Sequence, residues 1–271
     1  MYRLNRKKFF CFLLGMMLLG GAVILERLFF TPDTYGTYKE TMKEQAKEEG
    51  FMDEKKQNGK CAYLTFDDGP SDQTEKVLDI LKRENVKATF FLIGEQINEK
   101  TCPLVQRMIR EGHQVGVHTQ CHEQRIYNCY EAWEKDFEEG FSTIENCLKK
   151  CNTCGDGADA KITAVRFPWG STNGYLAPFK KKAVRHLKER GVEYYDWNVS
   201  AEDSIGTPTV ESILKNVRKD YGKFLHPLVL MHDSHTCAKT VDALPEIISM
   251  LKKDGYAFAT LDAMEKPFHY E

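Results

Sequence analysis

The sequence predicts an α/β fold, a distorted (β/α)7 barrel preceded by an N-terminal membrane anchor helix. Apolar, β-prone segments alternate with segments of helical periodicity over residues 61–261. The strand segments are apolar along nearly their whole length, which is typical of parallel strands covered on their outer face by helices. Charged and imidazole side chains follow several of these strands, and only a curved sheet brings such strand ends to one place.

A membrane anchor is predicted at the N-terminus. Four basic residues at positions 3–8 precede a 17-residue run, Phe9 to Leu25, that carries no charge. Its length is at the short end of a membrane span, and the basic flank favours a cytoplasmic N-terminus. The run ends at Glu26-Arg27 without a small-residue cleavage site, so we expect an uncleaved single-pass anchor in the cell membrane and an extracytoplasmic domain. Secretion after cleavage of a signal peptide is the alternative.

The rest of the chain is predicted to form one linker and one domain. Residues 1–8 are a cytoplasmic basic tail, 9–30 the transmembrane signal anchor, 31–59 a polar linker and 60–271 a single folded domain. A chain of 271 residues, 42% of them hydrophobic, is long enough for one good-sized core. The formal net charge of −2, without a basic stripe, argues against a nucleic-acid partner.

The elements of the domain follow in order from strand to helix. Each strand is predicted from an apolar β-prone run, and each helix from a 3.6-residue period. The predicted strands are Cys61–Phe66, Lys87–Ile93, Gln114–Val117, Ile162–Val165, Val192–Trp197, Pro227–Met231 and Tyr256–Leu261. The predicted helices are Thr74–Glu84, Pro103–Glu111, Tyr130–Lys150, Lys180–Arg190, Thr209–Asp220 and Val241–Asp254. Gly191 and Gly255 follow two of these helices, at the position where glycine commonly ends a helix.

Polar side chains stand at or soon after the ends of five predicted strands. The first strand is followed by Asp67-Asp68-Gly69-Pro70. The other groups are His118 with His122, Arg166, Asp203 and His232. In a βα barrel the carboxyl ends of the strands form the face on which active sites are built. We therefore expect these side chains to converge on one site.

Two histidines and the Asp pair indicate a metal site. His118 and His122 are four residues apart, so a helical turn would place both on one face, where both can bind one ion. Two histidines and one carboxylate leave a coordination position open for water, which is the pattern of catalytic zinc. Of the adjacent carboxylates Asp67 and Asp68, one can bind the metal while the other accepts a proton from a water. Alone, the Asp pair is better explained as a turn, and the histidines are equally explained as solvated loop residues.

Three further groups complete the predicted site. Arg166 lies on a stiff loop before Pro168 and supplies a fixed cation that can orient a carboxylate. His232 follows a buried strand and can protonate a leaving amine. Asp203 can hold that imidazole in its cationic form. Taken singly, Arg166 and His232 are better explained as an ordinary surface, loop or core residue, and Asp203 can be a loop carboxylate.

In this order, the motifs closely resemble those of the polysaccharide deacetylases of carbohydrate esterase family 4, the NodB homology domain. They are TFDDGPS (65–71), HTQCH (118–122), RFPWG (166–170), DWNVSAED (196–203) and LMH (230–232). The resemblance covers roughly Cys61 to Leu261 and implies the distorted seven-stranded barrel of the NodB homology fold. It also implies a divalent metal cofactor. Zinc is the first expectation, and cobalt or another divalent ion is the alternative.

The resemblance assigns a role to each residue of the predicted site. It implies Asp67 as catalytic base, positioned by Arg166, and it implies Asp68, His118 and His122 as metal ligands. His232 is implied as general acid, and Asp203 as the carboxylate that tunes the pKa of His232. The Trp169 backbone N–H is implied as an oxyanion donor, and Leu230 as a wall of the acetyl pocket. Two departures concern the sugar-contact surface. Ser200 and Ser204 stand where the fourth motif often has Asp and Trp, and Trp169 stands where Tyr is common.

The implied activity is that of a hydrolase acting on carbon–nitrogen bonds other than peptide bonds. Together with the predicted anchor, the resemblance implies N-deacetylation of a glycan polymer, with N-acetylglucosamine of peptidoglycan as the first expectation. N-acetylmuramic acid, chitin oligomers and an exopolysaccharide are alternative substrates. A non-catalytic sugar-binding protein and a metal-dependent amidase for small substrates are alternatives of other classes.

The nine cysteines, eight of them outside the predicted anchor, leave several arrangements open. Cys129 and Cys147 bracket a helix of about 27 Å and cannot pair if that helix is straight. Cys147, Cys151 and Cys154 can form a disulfide or a small zinc site, and free thiols are the alternative. Cys121 lies beside a predicted metal ligand, and we expect it to point away from the metal.

Overall fold

A computed structural model of the protein describes residues 59–152 and 161–270. The predicted basic tail, the predicted anchor and nearly all of the predicted linker lie outside the described residues, as do Cys154 and the side chain of Cys151. Within these ranges, no helix combines the length and the apolarity that a membrane span requires.

The described strands pair in parallel throughout. They are β1 (Cys61–Gly69), β2 (Thr89–Leu92), β3 (Gln114–Val117), β4 (Ala164–Val165), β5 (Glu193–Tyr194), β6 (Val199–Ser200), β7 (Leu228–His232) and β8 (Ala257–Phe258). The strand order is β5-β4-β3-β2-β1-β7-β6, and β8 pairs with the first residues of β1. Most strands that are neighbours in the sheet are also consecutive in the chain, with a helix between them, as repeated βα units require.

Helices connect the strands and supply the other half of the core. They are α1 (Asp72–Glu84), α2 (Cys102–Arg110), α3 (Tyr130–Asn152), α4 (Lys180–Glu189), α5 (Val210–Asp220) and α6 (Ala238–Lys253). Ser71 and Thr209 begin α1 and α5 with capping boxes. The predicted apolar stripe of α3 is buried, with Trp133 and Phe137 fully enclosed. Every helix predicted from periodicity is present, because each has an apolar face to bury.

The sheet curls into a half-barrel whose two edge strands are neighbours in sequence. β5 ends at Tyr194 and β6 begins at Val199. Five Cα–Cα steps of at most about 3.6 Å therefore join the edges, roughly 18 Å in all. Seven strands spaced about 4.8 Å apart would set the edges of a flat sheet roughly 29 Å apart. The short connection thus requires the sheet to curve.

The predicted barrel is nevertheless open along a seam between β5 and β6, which form no ladder with each other. The C-terminal segment fills this seam. The Asp196 N–H donates to the carbonyl of Phe268 (2.9 Å), and the Tyr270 N–H donates to Asp196 Oδ2 (2.8 Å). The predicted strand Val192–Trp197 stops at Tyr194 because the chain beyond it binds this segment. β6 has two residues, too few to show a pattern in the sequence.

β1 aims its polar groups into the curved sheet. Leu64 and Phe66 pack in the main core with the helices, whereas Tyr63 belongs to a second apolar cluster, with residues of β2, β4 and β7. By the two-residue period of a strand, Thr65 and Asp67 share the face of Tyr63. Both are buried. Asp67 therefore lies inside the half-barrel, at the carboxyl end of its strand.

One disulfide joins two neighbouring helices of the described chain. Cys102 on α2 bonds Cys147 on α3, with Cα atoms 6.0 Å apart. Because 45 residues separate the two cysteines, their spacing in the sequence does not reveal the pairing. Cys121 is not part of the cluster of candidate metal ligands. Burial, together with a hydrogen bond to Asp136, raises the pKa of its thiol to about 11.

Gly140 marks a close contact between α3 and the segment that carries the two predicted histidine ligands. A Cβ at this position would lie 2.7–2.8 Å from backbone atoms of Thr119 and Gln120. From the same helix, Asp136 Oδ1 accepts a hydrogen bond from the Gln120 N–H (2.8 Å). α3 therefore fixes the position of this segment.

We expect Gly140→Ala to destabilise the protein, although alanine is better than glycine in a helix by about 1 kcal/mol. The added Cβ meets backbone rather than a movable side chain, and such overpacking costs about 1–3 kcal/mol. Calorimetry should therefore show a lower Tm. Gly222→Ala is the matched control, because a Cβ there meets nothing within 4 Å. A Gly140→Ala protein as stable as the parent would contradict the close contact.

Candidate active site

The turn after β1 sends two adjacent carboxylates in different directions. The pairing of β1 with β2 shifts register between Asp67 and Gly69, and Asp68 has a left-handed φ of 71°. Residues other than glycine rarely adopt this conformation, because the Cβ crowds the following carbonyl. Asp68 is partly exposed, while Asp67 is 3% exposed inside the half-barrel. The turn thus provides one shielded and one accessible carboxylate.

Asp68, His118 and His122 form a cluster whose ligand atoms lie within 4.8 Å of one another. The Nε2 atoms of both histidines are 3.5 Å from Asp68 Oδ1. That oxygen is buried and accepts no hydrogen bond from the described residues. A buried carboxylate oxygen without a donor is costly. A divalent cation would satisfy it, and a set of two imidazoles and one carboxylate suits zinc.

The backbone prepares His118 for metal binding. Its Nδ1 lies 2.7 Å from the carbonyl oxygen of Arg166, and because a carbonyl only accepts, Nδ1 carries the proton. Nε2 then presents its lone pair towards Asp68. Burial, assisted by the nearby His122, lowers the pKa of His118 well below its ordinary value. The ring is therefore neutral, as a ligand must be.

The segment between the two histidines is not the helical turn that their spacing suggests. Thr119 and His122 both have left-handed φ angles, 70° and 53°. The Thr119 side chain accepts a hydrogen bond from the His122 N–H (3.1 Å). The carbonyls of Thr119 and Gln120 accept from the backbone of the segment after β2. Loop hydrogen bonds, rather than helical geometry, bring the two imidazoles together.

Arg166 is fully buried and holds the carboxylate of Asp67. Its four hydrogen bonds go to Asp67 Oδ1 (2.8 Å), Thr65 Oγ1 (2.7 Å) and the backbone carbonyls of Tyr195 (3.0 Å) and Asp196 (3.1 Å). The ring of Phe91 lies against the guanidinium, 4.3 Å from its carbon. Since the planar fork is bound on several sides, it fixes the orientation of Asp67.

Asp67 has the properties of a base. Burial raises the pKa of Asp67 above its usual range, and the Arg166 guanidinium offsets part of this rise. A carboxylate with a raised pKa is the stronger proton acceptor once ionised. Its Oδ2 lies 3.8 Å from Nε2 of His118. Asp67 can therefore accept a proton next to the candidate metal cluster.

His232 and Asp203 form the second titratable pair of the site. His232 is the ladder partner of Asp67 across β1 and β7. Its Nδ1 lies 2.8 Å from Asp203 Oδ1, so Nε2 is the nitrogen left to donate to a substrate. Burial alone would lower the pKa of His232. The hydrogen bond and charge of Asp203, together with the charges of Asp67 and Asp68, raise it to about 9.

Trp169 and Leu230 lie beside these groups. Trp169 follows β4 in a left-handed conformation with φ 63°, and its ring centroid is 5.2 Å from that of His122. Its backbone N–H donates a hydrogen bond to none of the described residues. Leu230 precedes His232 by two residues in β7, which places both on one face of the strand. It is 7% exposed.

Three buried polar residues support the site without having been predicted. Thr65 binds Arg166, and Thr240 on α6 donates to Asp203 Oδ2 (2.6 Å). Asp233 accepts from the Thr74 hydroxyl and packs so closely against Gly69 that a Cβ there would meet its carboxylate. Thr65 has a signal in the sequence, since it precedes the predicted base by two residues in a strand. Thr240 and Asp203 are 37 residues apart, and nothing in the sequence connects them.

The altered fourth motif places a small polar side chain beside the general-acid candidate. Ser204 is exposed, and its Oγ lies 3.5 Å from His232 Nε2. Ser200 ends β6 and accepts from the Glu202 N–H through its side chain (3.2 Å). Neither residue offers an aromatic ring to a substrate.

The fold and site together define an α/β protein with a candidate metal cluster beside an adjacent pair of a carboxylate and an imidazole, Asp67 and His232. The polysaccharide deacetylase family profile matches residues 54–194, just over half of the chain. The putative polysaccharide deacetylase YheN of Bacillus subtilis is 33% identical over 214 residues, which cover 78% of this chain and 70% of that protein. The chain therefore belongs to the polysaccharide deacetylase family.

Two further relatives carry more specific names. A peptidoglycan-N-acetylglucosamine deacetylase of Bacillus cereus is 34% identical over 209 residues, covering 73% of this chain and 68% of that protein. The crystal structure of the catalytic domain of peptidoglycan N-acetylglucosamine deacetylase from Eubacterium rectale superposes with a TM-score of 0.68 at 30% identity. That match covers 78% of this chain and 93% of the crystallised one. The half-barrel is thus the fold of known family members.

Replacing Asp203 should shift the pH dependence of deacetylation. A general acid must be protonated, so activity should persist below the pKa of His232 and decline as the pH rises through about 9. In Asp203→Asn the strongest of the influences that raise this pKa is removed, and the alkaline limb should move towards the ordinary histidine value of 6.5. The pH profile of kcat/KM measures the shift.

A matched control for this shift is Asp242→Asn, which removes an exposed carboxylate paired with Lys239. Its alkaline limb should coincide with that of the parent. If Asp203→Asn left the limb in place, His232 would not be the group that titrates.

Proposed function

We propose that the protein is a metal-dependent, extracytoplasmic enzyme that removes acetyl groups from N-acetylglucosamine residues of peptidoglycan. One observation carries the proposal. Asp67 and His232 are ladder partners on adjacent strands, and the Asp68-His118-His122 cluster lies beside them. Amide hydrolysis needs a base for the attacking water and an acid for the leaving amine. The names of the relatives support the choice of polymer.

The first chemical step uses Asp67 and the Trp169 backbone. A divalent metal held by Asp68, His118 and His122 would polarise the acetamide carbonyl and lower the pKa of a water. Asp67, oriented by Arg166, accepts a proton from the attacking water as the new C–O bond forms. The N–H of Trp169 donates to the carbonyl oxygen as negative charge develops on it. Leu230 walls the space for the acetyl methyl group.

The second step uses His232. Its Nε2 donates a proton to the sugar nitrogen, the C–N bond breaks, and acetate leaves from a free amine. The negative charge of Asp203 keeps the imidazole protonated until this point. The proton held by Asp67 then passes to His232, which restores both groups, and the carboxyl proton of the product is lost to water, so that the acid is released as acetate.

The location of the enzyme is part of the proposal. The uncharged run Phe9–Leu25 would anchor the chain in the cell membrane, and residues 31–59 would hold the domain on the outer side. Peptidoglycan would then be within reach of the site. N-acetylmuramic acid, chitin oligomers and exopolysaccharides remain alternative substrates.

The direct test is acetate release by the full chain, purified in detergent, from peptidoglycan and from chitin oligomers. We expect release from peptidoglycan that a chelator abolishes and that added zinc or cobalt restores. Mass spectrometry of the digested product identifies the deacetylated sugar. Absence of release from every polymer, by protein shown to bind metal, would instead indicate a sugar-binding protein without catalysis.

Two variants separate the base from the metal ligands. Asp67→Asn should lower kcat by about 10²–10⁴-fold with metal content unchanged, because it removes the proton acceptor and leaves the three metal ligands in place. His118→Ala should lose both activity and metal. Elemental analysis of the purified variants measures metal content, and His226→Ala, an exposed histidine before β7, is the control. Near-normal activity of Asp67→Asn would refute the assignment of the base.

A further inference from the structure

Helix α4 is the most basic of the described helices. Its ten residues, KKKAVRHLKE, hold four lysines, one arginine and a single acidic residue. Three of the cations, Lys181, Arg185 and Lys188, are spaced four and three residues apart, so they lie on one face of the helix. All three residues are exposed. We name this face the cationic row, and the rise of an α-helix gives it a length of about 10 Å.

The cations on the other exposed side of α4 are paired, whereas those of the row are not. Lys182 pairs with Glu131 of α3 (3.1 Å), and Arg190, just after α4, pairs with Glu138 of α3 (3.3 Å). In the described part of the chain, no ion pair or hydrogen bond involves a side chain of the cationic row. The carboxylates of α3 thus neutralise only the side of α4 that faces α3.

The carboxylates nearest to the end of the row are already bound. Lys188 lines a cavity together with Glu193 and Asp262. Glu193 pairs with His269 (3.2 Å), and Asp262 accepts a hydrogen bond from the Thr260 hydroxyl. The charge of Lys188 therefore stays available to an anion from outside the domain.

Folding does not explain these charges, because they act against the helix. Like charges three or four residues apart repel, so both neighbouring pairs of the row cost stability. The first turn of α4 holds lysines and no acidic residue, although a helix amino terminus favours negative charge. α1 and α5 have the favourable arrangement, with acidic residues in the first turn and basic residues in the last.

The row begins at the face of the sheet on which the site lies. α4 follows β4 and runs back along the sheet, so its amino end lies near the carboxyl end of that strand. Lys180, its first residue, donates to the hydroxyl of Ser171 (3.1 Å), which belongs to the same loop as Trp169. A linear polymer with one sugar in the site can therefore also lie along the row.

The composition of α4 argues against a membrane surface or a nucleic acid as the partner. A helix that binds a membrane presents large apolar side chains beside its cations, and α4 exposes none. Proteins that bind a nucleic acid commonly contact about six to ten phosphates, more than three cations can supply. The formal net charge of −2 gives no further attraction. A short row fits a polymer that carries separate single anions.

We propose that the cationic row binds carboxylates on the peptide substituents of peptidoglycan while an amino sugar of the same polymer occupies the site. The inference rests on the proposed function and adds a preference for this anionic polymer over neutral chitin. Lysine and arginine form charge-assisted hydrogen bonds with carboxylates. Because the carboxylates are attached to the glycan, their binding raises the effective concentration of the sugar at the site.

The test compares acetate release by the full-length protein from one polymer with and without its carboxylates. Soluble peptidoglycan fragments, freed of phosphate-bearing polymers, are used unmodified or after a carbodiimide and methylamine have converted their carboxylates to amides. The row variant is Lys181→Gln/Arg185→Gln/Lys188→Gln. On the unmodified fragments its kcat/KM should be about tenfold lower at low salt, through KM, the size expected of three exposed charge contacts. On the amidated fragments it should equal the parent.

The matched control is Lys100→Gln/Arg110→Gln/Lys253→Gln, which removes two lysines and one arginine that are exposed but dispersed. The net charge changes equally, and the kinetics should equal those of the parent. An equal fall in this control, or a fall of the row variant on the amidated fragments too, would overturn the proposal. So would an effect of the row variant that appears only when phosphate-bearing polymers are left attached, because the ligand would then be phosphate.

Two further measurements separate binding from folding and from catalysis. Because the row costs stability, the Tm of the row variant should equal or exceed that of the parent, and a lower Tm would make the row a feature of folding. If the parent released no acetate from any polymer, the proposed function would fail, but cosedimentation with insoluble peptidoglycan at low salt would still test the row. Weaker binding by the row variant than by the control variant is the expected result, and equal binding would reject the row.

Discussion

The architecture of the site depends on one buried charge, the guanidinium of Arg166 inside the half-barrel. A buried cation is tolerated only when its donors are satisfied and a counter-charge is close. Arg166 follows β4 and finds its partners on β1 and on residues 195–196 of the seam. The group that orients the base therefore also joins the middle of the sheet to its edge. Loss of any one partner would leave part of this charge unpaired, so base and fold are stabilised together.

Neighbouring charges shift the pKa of Asp67 and the pKa of His232 in opposite directions. Burial makes ionisation of Asp67 harder, and Arg166 limits this effect. Burial also disfavours the charged form of His232, but there the carboxylates prevail, led by Asp203. Asp67 itself contributes to the raised pKa of His232. An ionised Asp67 beside a protonated His232 is therefore the mutually stabilised state, and it is the state that the proposed hydrolysis requires.

Much of this arrangement could be predicted from the sequence, because it depends on short-range patterns. Helix periodicity located all six described helices, and the polar residues at strand ends marked the edge at which the site lies. Three features depend on contacts between distant segments and left no local pattern. They are the seam filled by the C-terminal segment, the Cys102–Cys147 disulfide and the bond from Thr240 to Asp203. The prediction of a helical turn between His118 and His122 was wrong for a related reason. Loop hydrogen bonds and left-handed residues replace the helix that a four-residue spacing suggests.

Trp169 brings two features of the candidate site together in one residue. The φ angle of a residue sets the direction of its Cα–Cβ bond relative to its backbone N–H, so a left-handed φ fixes how the two point with respect to each other. At Trp169 this conformation leaves the N–H without a partner among the described residues and places the ring between His122 and Tyr175. One strained residue would thus set both the proposed oxyanion donor and the position of an indole ring beside the metal cluster, while the hydrogen bonds of Asn173 hold the loop that carries it.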